Sequence, residues 1–229
     1  YVRDKTSIII TPAGSGAKAD VDIKIWTVNL FERNFDNIGT DDGFISENIS
    51  DESLQYSHLY APRPLRKSTY SISGNDEDNT VYGTPDLIFD GTEIDSRYHS
   101  PIIGWAYDGN PIYGPYGFSN KDGTGSIRRM KSGYVNQSMK LDRPNFNSGF
   151  FVEDFKYVGN GDLDENNGRY CVTPDYPNGV YAYFTTINEN IDSDGPFIDH
   201  RRPVFPYLIG NTYKSIPNNF NFRSASNQT

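Results

Sequence analysis

"HSPIIGWAYDGNPIYGPYG" runs from His99 to Gly117, and its reading decides the fold. Two short apolar runs, "PIIGWAY" and "NPIYGP", flank Asp108-Gly109. Asp-Gly between apolar runs favours a tight reversal, because the glycine takes a positive φ at no steric cost. The pattern predicts a β-hairpin. Pro101, Pro111 and Pro115 cannot donate to a ladder, so its edges are expected to be irregular.

Working outward, most flanking segments also read as short strands between turns. They are "TVYGTPDLIFDG" (80–91), "GFFVEDFKYVG" (149–159), residues 180–187, and "RRPVFPYLIG" (201–210) as an edge or final strand. Residues 119–150 read as a polar insertion of loops with a short helix. In the N-terminal part, Val21, Ile23 and Ile25 alternate, and then Trp26, Val28 and Leu30 do. A one-residue slip of phase predicts a bulge or bend. "SDESLQYSHLYAP" (50–62) carries helix signals: Ser50 as cap, Asp51 and Glu52 in the first turn, and Pro62 as terminator. Residues 73–80 and 187–197 read as polar loops, and the tail after Asn211 as extended or poorly ordered. The expected class is mainly β: an antiparallel β-sandwich or barrel-like domain with long loops and one or two short helices.

Composition narrows the functions. The 229 residues include 17 Tyr and 14 Phe, and aromatic bulk substitutes for scarce aliphatic side chains in a core. The formal charge of −9 disfavours a phosphate backbone as partner, and the basic stretches "RPLRK" (63–67) and "RRMK" (128–131) are short. No apolar run is long enough for a membrane helix. The single cysteine, Cys171, excludes an intrachain disulfide and reads as a small buried hydrophobe. No phosphate-binding or dinucleotide fingerprint occurs, since "PAGSGAKAD" (12–20) lacks the Lys-Ser/Thr ending. The chain opens on Tyr1, and we read it as a fragment of a longer polypeptide.

Three segments carry a resemblance: "HSPIIGWAYDGNPIYGPYG", "LDENNGRYCVTPDYPNGVYAYF" (163–184) and "RPVFPYLIG" (202–210). In that order they resemble the YHYH domain family over about residues 80–210. The form is similar to domains embedded in large virion structural proteins of tailed, myovirus-like phages of cyanobacteria. The resemblance implies a β-rich module within a virion polypeptide, in contact with other virion proteins or with copies of itself. Chain length favours one globular domain over 1–229, with the N-terminal strands and short helix of 1–75 either packed on the 80–210 core or forming their own subdomain. The family's Tyr-His-Tyr-His stretch is here Tyr181-Ala182-Tyr183-Phe184. Two His at that spacing would share a strand face ~7 Å apart and could hold a metal; Ala182 and Phe184 cannot.

The remaining candidates follow from chemistry. His99, Asp108 and Asp164 could form a metal site, of structural zinc or calcium or of a metal-dependent hydrolase, if they converge. Against this, Asp108 and Asp164 each precede Gly or Asn-Gly turns that Asx bonding explains, and His99 can serve as a core residue. "DLDENNG" (162–168) begins like a calcium loop but lacks its glycine and its bidentate Glu. "NDEDN" (75–79) and "DSDG" (192–195) are further acidic turns. Tyr113, Tyr116 and Tyr134 are candidates to stack on sugars of a host-surface glycan. The leading expectation is a non-enzymatic structural module of the virion (tail, baseplate or fibre), with no required cofactor.

Overall fold

The computed structural model describes residues 2–3, 25–29, 43–47, 54–58, 65, 70–71, 80–82, 98–137, 146–191 and 201–217. In chain order the strands are β1 (Val2–Arg3), β2 (Ile25–Trp26), β3 (Gly43–Glu47), β4 (Leu54–His58), β5 (Tyr70–Ser71), β6 (Thr80–Tyr82), β7 (Ile102–Trp105) and β8 (Pro111–Tyr113). They continue as β9 (Tyr116–Phe118), β10 (Ile127–Arg129), β11 (Tyr134–Asn136), β12 (Phe155–Tyr157), β13 (Gly168–Cys171), β14 (Val180–Phe184), β15 (Ile187–Ile191) and β16 (Arg201–Pro203). The fold is mainly β, as the sequence predicts, and among the described residues no sheet closes into a barrel. Among the described residues the one named helical element is a 3-10 turn at Val152–Asp154, and no helix is long and apolar enough to cross a membrane.

The chain forms two compact units, Tyr1–Arg33 with Asn136–Lys156, and Asn34–Val135 with Tyr157–Thr229. In the first, β1 pairs antiparallel with β2. After Trp26, the Thr27 amide donates to the Glu153 carboxylate and Val28 forms an isolated bridge to Phe151. Trp26 and Phe151 pack with ring centroids 6.1 Å apart. The Asp154 carboxylate accepts from the amides of Gly149 and Phe151, which fixes the glycine turn before the 3-10 element.

The second unit is built around a four-stranded sheet of order β13-β14-β8-β7. The predicted hairpin is β7–β8, closed by Gly109 at φ +84° and an Ala106 N–H to Asn110 C=O bond of 2.9 Å. β13 and β14 pair antiparallel, whereas β14 and β8 run parallel, so the central sheet is mixed rather than purely antiparallel. Side chains alternate across β14. Ala182 and Phe184 join a core of Tyr113, Met130, Leu163 and Cys171 on one face; Tyr181 and Tyr183 join Ala106, Ile112, Ile209 and Tyr213 on the other.

The helix expected within 50–62 is instead a strand. β4 pairs residue for residue with β3, from Gly43↔His58 to Glu47↔Leu54. Ser, Tyr and His are weak helix formers. The Tyr56 ring lies over Gly43, where any Cβ would collide with it, and stands edge-on to His58. This diagonal aromatic–glycine fit rewards the ladder more than a Ser50 cap rewards a helix. Within the tail after Asn211, Lys214 bonds Tyr183 of the central sheet, and Thr212 and Ser215 bond Asn166 and Asp108 in the turns beside it. The anticipated loops at 12–20, 75–79 and 192–195 lie outside the described residues.

Gly117 on β9 sits against the first face of β14. A Cβ there would meet Phe184 Cε1 at 2.9 Å and Met130 Sδ at 3.4 Å, and both neighbours are fully buried. Gly117→Ala is therefore expected to lower unfolding free energy by about 1–3 kcal/mol through overpacking. Urea denaturation checks this; a variant as stable as the parent would show that β9 does not close on Phe184.

Candidate functional site

The residues singled out in the sequence gather around β14, on opposite faces. His99 lies on the Ala182/Phe184 side, among aromatic rings. Its ring centroid is 5.0 Å from Tyr113, 5.3 Å from Phe118 and 5.9 Å from Phe184. Nδ1 lies 2.7 Å from the Ser100 carbonyl and donates to it. Burial is the main cause that lowers the His99 pKa to about 4, and nearby Arg169 adds to it, although the Ser100 bond and Asp175 oppose the shift. The imidazole is thus neutral at pH 7.

Arg169 shares this face, opposite Ala182 in the ladder. Its guanidinium donates to the Phe118 carbonyl at 2.5 Å and lies 5.5 Å above the Phe184 ring. Tyr113 donates to Asp175 at 2.7 Å and is 2.9 Å from the Thr173 hydroxyl. Cys171 is buried here, and burial pushes its thiol pKa up, away from nucleophilic thiolate.

Asp108 and Asp164 stand across the sheet from His99. Asp108 caps its own turn, accepting from the Asn110 amide at 3.2 Å and the Asn110 side chain at 2.8 Å. It also accepts from the Tyr183 hydroxyl at 2.7 Å and the Ser215 amide at 3.1 Å. Burial pushes its pKa up, but these bonds outweigh burial and hold the carboxyl below its ordinary value. Asp164 Oδ1 accepts from Tyr181 at 2.8 Å and from the amides of Asn166 and Gly168 at 3.0 and 3.3 Å. Burial first, then the bonded carboxylates, raise both phenol pKa values far above that of a free tyrosine. Lys214 completes the group: Nζ is 3.6 Å from Asp164 and 5.1 Å above the Tyr181 ring.

The convergence that a His99–Asp108–Asp164 metal site requires is therefore missing, since the sheet separates the His from both carboxylates. Among the described residues no three His, Cys, Asp or Glu side chains group to hold a metal. The acidic turn at 162–168 is committed to other partners: Asp162 makes a bidentate pair with Arg128, with both N···O distances 2.6 Å, and Asp164 binds its own turn. The sugar-stacking candidates also change. Tyr113 and Tyr116 are wholly buried, and half-buried Tyr134 donates to the Glu165 carbonyl at 2.7 Å and packs on Tyr157 and Phe205. Core demand for aromatic bulk explains the burial of the first two. Tyr170, Tyr56 and Phe146 are exposed elsewhere, and at the hairpin end two rings are exposed, Trp105 at 57% and Tyr107 at 49%, on either side of buried Ala106. Their place beside Asp108-Gly109 was the available signal.

Sequence reasoning missed Asn167. It is fully buried at φ +63°, and its Nδ2 donates to the carbonyls of Phe184 (2.8 Å) and Leu208 (3.1 Å). Asn tolerates the left-handed region better than most residues, so the Asn167-Gly168 pair was the readable trace. Gly168 is required because the Tyr181 phenol occupies the space a Cβ would need.

The His99 environment has a pH consequence. With a folded pKa lowered from 6.5 to about 4, His99 contributes its full stabilisation above pH 6.5 and loses it as pH falls toward 4. The loss amounts to about 3 kcal/mol over that window. His99→Phe should flatten this part of the stability–pH curve, as measured by urea titration at successive pH values. An unchanged slope in the variant would assign the acid lability to another group.

The family model described as YHYH protein matches residues 15–194. No curated protein matches the chain, and no solved structure does. The matched segment holds the β7–β8 hairpin, the 162–168 turn and β14, all the elements that carry His99, Asp108, Asp164 and the tyrosine pair. With most of its length inside that match, the chain belongs to the YHYH protein family.

Proposed function

We propose that this chain is a non-enzymatic structural module of a phage virion (tail, baseplate or fibre) that contacts other virion proteins or copies of itself. One observation carries the structural part: the polar residues of the family motifs hold the chain's own backbone. Asp108 binds the Asn110 and Ser215 amides, Asp164 the Asn166 and Gly168 amides, Asn167 the Phe184 and Leu208 carbonyls, and Tyr183 the Lys214 amide. Groups so committed stiffen a scaffold, whereas an acid–base site needs groups aimed at a substrate. The virion setting rests on the sequence resemblance.

A second reading is a host-glycan-binding module. It is favoured by exposed Trp105 and Tyr107 beside the carboxylate of Asp108 and the amide of Asn110. Aromatic faces stack on sugars, and neighbouring amides bond hydroxyls.

Mass spectrometry of gradient-purified particles, from host cells in which the gene is expressed during infection, tests the first reading. Peptides of this chain should appear in constant ratio to other particle proteins; recovery only in the soluble lysate would overturn it. A glycan array separates the second reading: saturable binding lost in Trp105→Ala/Tyr107→Ala would support it, and no binding would dismiss it.

A further inference from the structure

The sequence holds three Asn-Gly pairs: Asn160-Gly161, Asn167-Gly168 and Asn178-Gly179. The main-chain nitrogen after an asparagine can attack that asparagine's side-chain carbon, which makes asparagine a thermolabile residue. Glycine permits the attack best, because it has no Cβ to restrict the approach. Which pair reacts depends on whether the attacking N–H and the side-chain amide are already engaged.

At Asn167 both are engaged. Its side chain is fully buried and donates to the Phe184 and Leu208 carbonyls, and the Gly168 amide donates to Asp164 at 3.3 Å. At Asn178 one is engaged. The side chain is exposed, but the Gly179 amide closes a turn on the Tyr176 carbonyl at 3.0 Å. At Asn160 neither is. The residue is exposed, and among the described residues neither its side chain nor the Gly161 amide has a hydrogen-bond partner.

The fold itself demands the glycine at 161. Gly161 runs against the Lys131 and Ser132 carbonyls, and no Cβ would fit there. The chain is pinned on both sides of it: the Gly159 amide donates to the Gly133 carbonyl at 3.3 Å, and the Asp162 amide to the Lys131 carbonyl at 2.8 Å. The Asp162 carboxylate accepts the Lys131 amide at 2.9 Å and grips Arg128 with both oxygens. The packing that excludes a side chain at 161 thus places a reactive pair in an exposed loop.

We propose that Asn160-Gly161 is a self-modification site, the first of the three pairs to convert, and that its isoaspartate product loosens the clamp between Asp162 and Lys131. The Gly161 nitrogen bonds to Asn160 Cγ and gives up its proton, and the side-chain nitrogen leaves as ammonia. Water then opens the cyclic imide at either carbonyl, giving aspartate or isoaspartate; water is the sole co-reactant. Isoaspartate adds an atom to the main chain between the anchors at Gly159 and Asp162, a length the pinned loop cannot absorb. None of this depends on the virion reading.

The test ages the full-length folded chain in mildly alkaline buffer made with heavy-oxygen water, and follows each pair by peptide mapping. Electron-transfer fragmentation separates aspartate from isoaspartate. Asn160 should take up heavy oxygen first, Asn178 next, and Asn167 about ten-fold or more slower than Asn160, because it waits for the chain to open. In urea the three rates should converge. Asn178 converting as fast as Asn160 in the folded chain would overturn the proposal, and so would folding that slows Asn160 as much as Asn167. In the isoaspartate fraction, hydrogen exchange should be faster at the Lys131 and Asp162 amides than in fresh protein. An Asn160→Asp variant, which has the charge without the added atom, should exchange like the fresh parent. Unchanged exchange at both amides in the isoaspartate fraction, or equal acceleration in Asn160→Asp, would overturn the loosening of the clamp.

Discussion

The second unit depends on the problem posed by β14. This strand is buried on both faces, yet it carries two phenols, Tyr181 and Tyr183. A buried hydroxyl without a partner costs about 1–3 kcal/mol, so each phenol needs a fixed acceptor. Asp164 and Asp108 supply them at 2.8 and 2.7 Å. Both are turn residues, each accepting amides of its own turn, so local backbone geometry fixes their positions. The two turns, 106–110 and 164–168, thereby orient the hairpin and the β13 edge on a common strand.

The other face solves a different problem with the same strand. Ala182 leaves room for Arg169 opposite it, and Phe184 contributes the ring that meets His99, Tyr113 and the Arg169 guanidinium. A neutral imidazole and a cation over an aromatic ring are compatible with low polarity, where two further ionisable side chains would demand partners. Replacement of the family's His pair by Ala182 and Phe184 thus agrees with the dry surroundings of His99.

The hairpin was legible because its signal is local: Asp108-Gly109 states the turn and the flanking apolar runs state the strands. The turn roles of Asp108 and Asp164 were legible for the same reason, since an Asx bond spans two residues. The misread helix at 50–62 shows the converse. Its cap and terminator are real sequence signals, but they describe the segment alone, whereas β3, which ends just upstream at Glu47, supplies a ladder and a glycine under Tyr56. Tyr113 and Tyr116 could not be sorted from exposed aromatics by pattern alone, because what buries them is chain remote in sequence. The separation of His99 from the two carboxylates was out of reach for a related reason. It depends on which face of β14 each loop crosses, and no spacing rule encodes that.

The contacts that complete β14 join residues far apart in the chain: Asp108 reaches Ser215 across 107 positions, and Tyr183 reaches Lys214 across 31. Topologies dominated by such pairings fold slowly, since loop entropy must be spent before the contacts return it. During vectorial synthesis the hairpin and its turn leave the ribosome first, and the phenols emerge before the segment that covers them. The nascent chain therefore passes through a stage in which an apolar, tyrosine-rich strand is made but uncovered. At that stage neighbouring nascent copies or chaperones have access to it, and the timing of residues 204–215 sets how long the stage lasts.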